Sequence, residues 1–150
     1  MNNKKFIILT IFWGFLLTLI SIPVFLFMLC LAGKPRRYCN CLYFEYGKYW
    51  GGIEFGWFFI VNENPTQHLL DHEYGHGIQN CIFGPAFMIL WIFGIVRYWA
   101  RELVKSAGRG SELPPYDSAW NEQNATDLGA KYRETYDKMY GTDHNISTNS

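Results

Sequence analysis

A chain of 150 residues and 17.5 kDa has room for about one domain, which excludes a two-domain enzyme. With 49% hydrophobic and 19% aromatic residues against 17% charged, it is too apolar for disorder and too sparsely charged for an ordinary soluble surface, so a membrane or sticky interface is expected. The formal charge is zero but uneven, with six Lys/Arg against one acid in residues 1–50 and three against seven in residues 111–150; no nucleic-acid partner is expected from this layout.

No charged residue lies between Phe6 and Ala32. As helix at about 1.5 Å per residue, that run outreaches a hydrocarbon core of about 30 Å, so residues 1–33 are expected to form an uncleaved transmembrane anchor. The competing reading, a cleaved signal peptide, has an apolar stretch of only about 7–15 residues. Residues 33–41 read as a basic, turn-rich linker. Its Cys39 and Cys41, with Cys30 and Cys81, fit neither a disulfide framework nor a thiolate metal site, which needs wider pair spacing and two more ligands.

Residues 42–47 and 53–61 read as short strands of a β-hairpin, with Gly51-Gly52 as the turn signal. Ile53, Phe55, Trp57 and Phe59 alternate onto one side of the second strand, toward a core or a membrane. Asn64-Pro65 then opens a helix, Asn64 as N-cap and Pro65 at the first helical position, running to about Asn80. The apolar run Cys81–Val96 is too short to span and is broken by Gly84-Pro85, so a re-entrant, half-inserted segment is expected. Arg97, Arg101 and Lys105 continue as a basic helical stripe suited to anionic headgroups or to solvent. A loop from Ser106 to Tyr116 leads to a last helix from near Asp117 or Ser118 to Tyr140. Residues 34–140 form the second unit, and 141–150 a polar tail.

The first soluble helix contains His72-Glu73-Tyr74-Gly75-His76, an H-E-x-x-H string. Histidines at i and i+4 share a helix face and can ligate one zinc ion, while Glu73 beside them can act as general base on the zinc-bound water. His68 extends the stripe, but i and i+8 stand about 12 Å apart, so one ion takes only a neighbouring pair. The pair His72/His76 gives Glu73 a role, and leaves His68 as a rim group or an exposed histidine. Gln79, one turn on, reads as an ordinary surface glutamine.

A two-His, one-Glu zinc site needs a carboxylate from a later element, and Glu122 on the last helix is the candidate. With it, the chain resembles gluzincin-type zinc metallopeptidases, including membrane-embedded members whose third ligand stands in an E-x-x-A-D string. It is more similar still to small uncharacterised bacterial membrane proteins that pair H-E-[YH]-G-H-x-I-Q with a Gly-Pro apolar segment, an R-Y-W-x-R-E string and a Y-D-x-x-W-x-E-x-x-A-T string. Here these are His72 to Gln79, Gly84-Pro85, Arg97 to Glu102 and Tyr116 to Thr126, so the resemblance covers roughly residues 50–130. It implies zinc held by His72, His76 and Glu122, with catalysis by Glu73. It also implies an edge strand, residues 53–61, against which an extended substrate lies. One departure is Thr126, which replaces the Asp of the E-x-x-A-D form; its hydroxyl can face the site but carries no charge. Asp127 is rotated about 140° away from Glu122 and reads as a surface acid.

The expected fold is α+β and mainly helical: an N-terminal transmembrane helix, then a compact zincin-like unit with a short β-hairpin and a half-inserted apolar segment. The expected function is a membrane-bound zinc metallopeptidase hydrolysing peptides or membrane-proximal protein segments, with Tyr116 as a candidate oxyanion donor. The alternative is a non-catalytic membrane protein with a structural or vestigial zinc site, acting as a partner or immunity factor. A site-2-type intramembrane protease lacks its downstream N-x-x-P-x-x-x-x-D-G string here. For His72 and Glu122 to share an ion, Cys81–Val96 must turn back. Lys34, Arg36 and Arg37 after the first span, against Lys4 and Lys5 before it, then place the catalytic unit of this bacterial-type membrane protein in the cytoplasm.

Overall fold

The computed structural model describes residues 1–141; the remainder of the polar tail lies outside the described residues. The chain is mainly helical with one small mixed sheet. Helix α1 (Asn3–Ile8) runs on as a π-helical turn, Leu9–Trp13, into α2 (Phe15–Leu31). Four strands follow: β1 (Arg36–Tyr38), β2 (Cys41–Glu45), β3 (Gly52–Glu54) and β4 (Phe58–Val61). Three helices complete the unit: α3 (Gln67–Phe83), α4 (Phe87–Ser106) and α5 (Trp120–Tyr140).

The N-terminal apolar run is not one straight rod. Asn3–Trp13 and Phe15–Leu31 meet at 98° across Gly14, where a Cβ would overlap the Asn80 amide. The first arm packs into the protein: Phe6 and Thr10 are fully buried, and Phe6 joins a core of Tyr38, Phe59, Tyr74, Ile78 and Tyr136. The first 33 residues therefore share their core with the rest of the chain. Helix α2 leaves Leu19, Leu26 and Phe27 exposed along its length.

The sheet has the order β1-β2-β4-β3, with β2 and β4 parallel and the outer pairs antiparallel. The expected linker thus contributes an edge strand, β1. The expected second strand is two strands, because its period-two run folds back at Gly56, whose φ of +87° suits a tight turn. Gly51-Gly52 is not a hairpin turn; it ends the crossover from β2 to the other edge strand, β3. Helix α3 starts one residue after Thr66, whose Oγ1 accepts the Leu69 N–H at 3.2 Å. Asn64, expected as the cap, instead sits at φ +54° outside the helix.

Helix α3 is the central element, buried from Leu70 through much of its length to Cys81. It crosses α5 where glycines remove the intervening side chains. A Cβ on Gly75 would overlap the Ala125 carbonyl, and one on Gly129 the Asp71 carbonyl. Arg133 on α5 donates to Asp71 at 2.9 Å, and Tyr38 on β1 donates to the same oxygen at 2.5 Å, tying sheet, α3 and α5 together.

By length and composition the helical stretch Gln67–Ser106 is long and apolar enough to cross a membrane, a property it shares with core helices of soluble proteins. It is folded at Gly84, whose φ is +57°. His76 and Gly94 would stand about 27 Å apart on a straight helix. Yet Glu122 lies 3.3 Å from His76 through one oxygen, and its other oxygen is 3.8 Å from where a Cβ on Gly94 would sit. Helix α4 therefore turns back over the site, as the shared-ion argument requires. Its outer face leaves Ile89, Ile92, Val96 and Leu103 exposed.

Candidate metal centre

His72 and His76 project from α3 toward α5, whose close approach at Gly75 and Gly129 brings the Glu122 carboxylate between them. Glu122 Oε2 lies 3.3 Å from the Nε2 of each histidine. The three side chains form a group that could hold a metal ion, with donor atoms all within 4.8 Å of one another. Donors about 2 Å from a tetrahedral ion stand about 3.3 Å from each other, so the carboxylate-to-imidazole spacing fits. Glu122 Oε2 is buried without a hydrogen-bond partner, as an oxygen reserved for an ion would be.

The outer nitrogens of both rings are held in place. Gln79 spends its amide hydrogens on Asn121 O at 2.8 Å and Asn124 Oδ1 at 2.9 Å. Its Oε1 is thus left to accept from His76 Nδ1 at 2.9 Å. Thr126 donates its hydroxyl to Glu122 O at 3.2 Å, so toward His72 Nδ1, at 2.9 Å, it accepts. Both bonds favour the ring proton on Nδ1, which leaves each neutral ring's Nε2 lone pair turned to the space beside Glu122 Oε2. Glu122 Oε1 accepts from Asn121 Nδ2 at 2.9 Å, and Arg97 Nη1 stands 3.9 Å away. Burial works against ionisation of Glu122, but when the two histidines are protonated their charge and Nε2–H groups outweigh it and hold the carboxyl well below the usual range.

Glu73 is buried on the strand side of α3, against β3: a Cβ on Gly52 would stand 2.5 Å from its Oε1. Glu54, on the same side of β3, is also buried, and burial pushes its carboxyl up to about 8. A cavity of about 720 Å³ opens onto His72, His76, Glu73 and Glu122, between β3 and the inner face of α4. Tyr116 lines it, its ring under the Arg97 guanidinium at 4.6 Å. Burial pushes the Tyr116 hydroxyl up to about 12, so it stays a hydrogen-bond donor at neutral pH.

The structure thus brings His72, His76, Glu73 and Glu122 together. His68 is at the cavity rim and Asp127 is exposed. Gln79 is corrected from a surface glutamine to a fully buried partner of His76; its i+3 spacing from His76 was the available signal. The stripe Arg97, Arg101, Lys105 does not act as one face. Arg97 donates to Tyr116 O at 2.7 Å and Arg101 to Pro114 O at 2.8 Å, while Lys105 pairs with Glu102. The last helix begins at Trp120, after a short 3-10 turn over Tyr116–Ser118. Glu54 and Asn121 carried no signal in sequence. No known protein family, curated protein or solved structure matches this chain.

Proposed function

We propose that the chain is a membrane-bound zinc metallopeptidase. The observation that carries the reading is the buried Glu122 oxygen 3.3 Å from the Nε2 of both His72 and His76, beside a cavity that Glu73 also lines. Two imidazoles and one carboxylate suit zinc, and three protein ligands facing a cavity are the pattern of a catalytic site; structural zinc sites are closed by four. Bound there, zinc supplies a Lewis acid that acidifies water and polarises a carbonyl group.

His72, His76 and Glu122 hold the ion, and the α3–α5 crossing fixes their separation. Glu73 accepts a proton from the attacking water at its carboxylate and returns it to the departing amine. Tyr116, held by Arg97, offers its hydroxyl from the opposite wall. Glu54 and Trp91 line the same cavity. The outward apolar faces of α2 and α4 rest in the bilayer, which removes their exposed Leu, Ile, Phe and Trp side chains from water.

The test is metal analysis and hydrolysis of a peptide library by detergent-purified protein, for the parent and Glu73→Gln. Zinc in both, with turnover in the parent alone, is the expected result. Turnover that survives Glu73→Gln, or zinc-loaded parent that cleaves nothing, contradicts the reading.

A further inference from the structure

The edge strand β3 presents an unusually short row of backbone groups to the cavity. Ile53 pairs with Ile60 and Glu54 with Phe59. Bonds from Phe55 N–H to Phe58 O and from Asn62 N–H to Gly51 O set the phase of the ladder. Residues 51, 53 and 55 therefore turn their polar groups toward β4, and Gly52 and Glu54 turn theirs outward. Gly52 stands against Glu73. One step further, the outward carbonyl of Glu54 is already taken: Trp91 on α4 donates its Nε1–H to it at 2.7 Å. The indole is packed edge-on against Phe55, with ring centroids 5.8 Å apart, and so is fixed across the strand.

A peptide added to a sheet edge bonds at every second residue. Beside β3 it meets the free N–H and C=O of Gly52, next to Glu73, and then the indole at the level of Glu54. We propose that Trp91 determines specificity by closing the channel there, so that the site takes peptides with a free chain end within a residue or two of the scissile bond and rejects internal bonds. This rests on the peptidase reading of the site.

The test uses zinc-loaded full-length Glu73→Gln protein, which binds without turnover, and one internally labelled peptide in four forms: free linear, N-acetylated, C-amidated and head-to-tail cyclic. The cyclic form should bind at least about tenfold more weakly than the free form, and whichever single blocked form shares that loss identifies the end. Adding Trp91→Ala to the Glu73→Gln protein should restore cyclic binding. Trp91→Phe, which keeps a ring on Phe55 and loses the N–H, should restore it in part, with zinc content as the check on fold. Equal binding of cyclic and free forms, or no binding of any form, overturns the proposal. Binding of the free form without turnover by the parent would instead count against the peptidase reading alone.

Discussion

Thr126 Oγ1 lies 2.9 Å from His72 Nδ1 while giving its own proton to the Glu122 carbonyl, so one hydroxyl orients the His72 ring on α3 from the helix that carries Glu122. Thr126→Val keeps the shape and removes this acceptor; Gln79→Leu does the same for His76. Each should lower zinc affinity by about 10–100-fold in a chelator competition. Thr126→Ser should stay near the parent. Unchanged affinity in both variants would mean that these bonds do not orient the rings.

Gly129→Ala tests the helix crossing. Its methyl group would overlap the Asp71 carbonyl, forcing α5 away from α3, with an expected loss of about 1–3 kcal/mol and weaker zinc binding. Asp127→Ala, on the exposed side of the same helix, should change stability by about 0.5 kcal/mol or less. Comparable unfolding midpoints for the two variants would contradict the close crossing.

Glu54 gives a pH signature. With its carboxyl pushed by burial from 4.5 up to about 8, the folded protein keeps a proton that the unfolded chain releases above about 4.5. Stability from this group is therefore complete below about pH 4.5 and declines as pH rises toward 8. Glu54→Gln retains an oxygen for the Gly56 N–H and removes the titration. The drop in denaturation midpoint between about pH 5 and 8 should shrink in this variant relative to the parent. An identical drop would place the titration elsewhere.

On the proposed membrane reading, the fold of α4 over α3 puts the start of α3 and the segment after α4 on one side of the bilayer. Single cysteines introduced at the exposed Glu63 and Glu112, with Cys30 replaced, should react with an impermeant reagent from the same side of sealed vesicles. Labelling from opposite sides would separate α3 from α5 and contradict a shared ion.

The residues of the candidate metal group were legible because helix periodicity is local: His72 and His76 at i and i+4, and Glu122 on a face with Ala125, Thr126 and Gly129, need no knowledge of the rest of the chain. The need for a turn after α3 was legible by the same logic, and Gly84 supplies it. What sequence did not carry was set by distant partners. Ile53, Phe55, Trp57 and Phe59 alternate as they would on one strand, and only the Gly56 turn and the pairing of β3 with β4 divide them. Residues 6–32 have the length of a span, yet the bend at Gly14 arises from packing on Asn80, more than sixty residues away. Gln79 and Arg97 are polar side chains on helix surfaces until α5 and the Tyr116 segment are folded against them.

The central claim is that Glu122 completes a zinc site with His72 and His76, and zinc stoichiometry after exhaustive dialysis tests it most directly. Parent protein and Asp127→Ala should each retain one zinc per chain, while Glu122→Ala, shown by circular dichroism to be folded, should retain none. Folded Glu122→Ala that holds zinc as tightly as the parent would contradict the account.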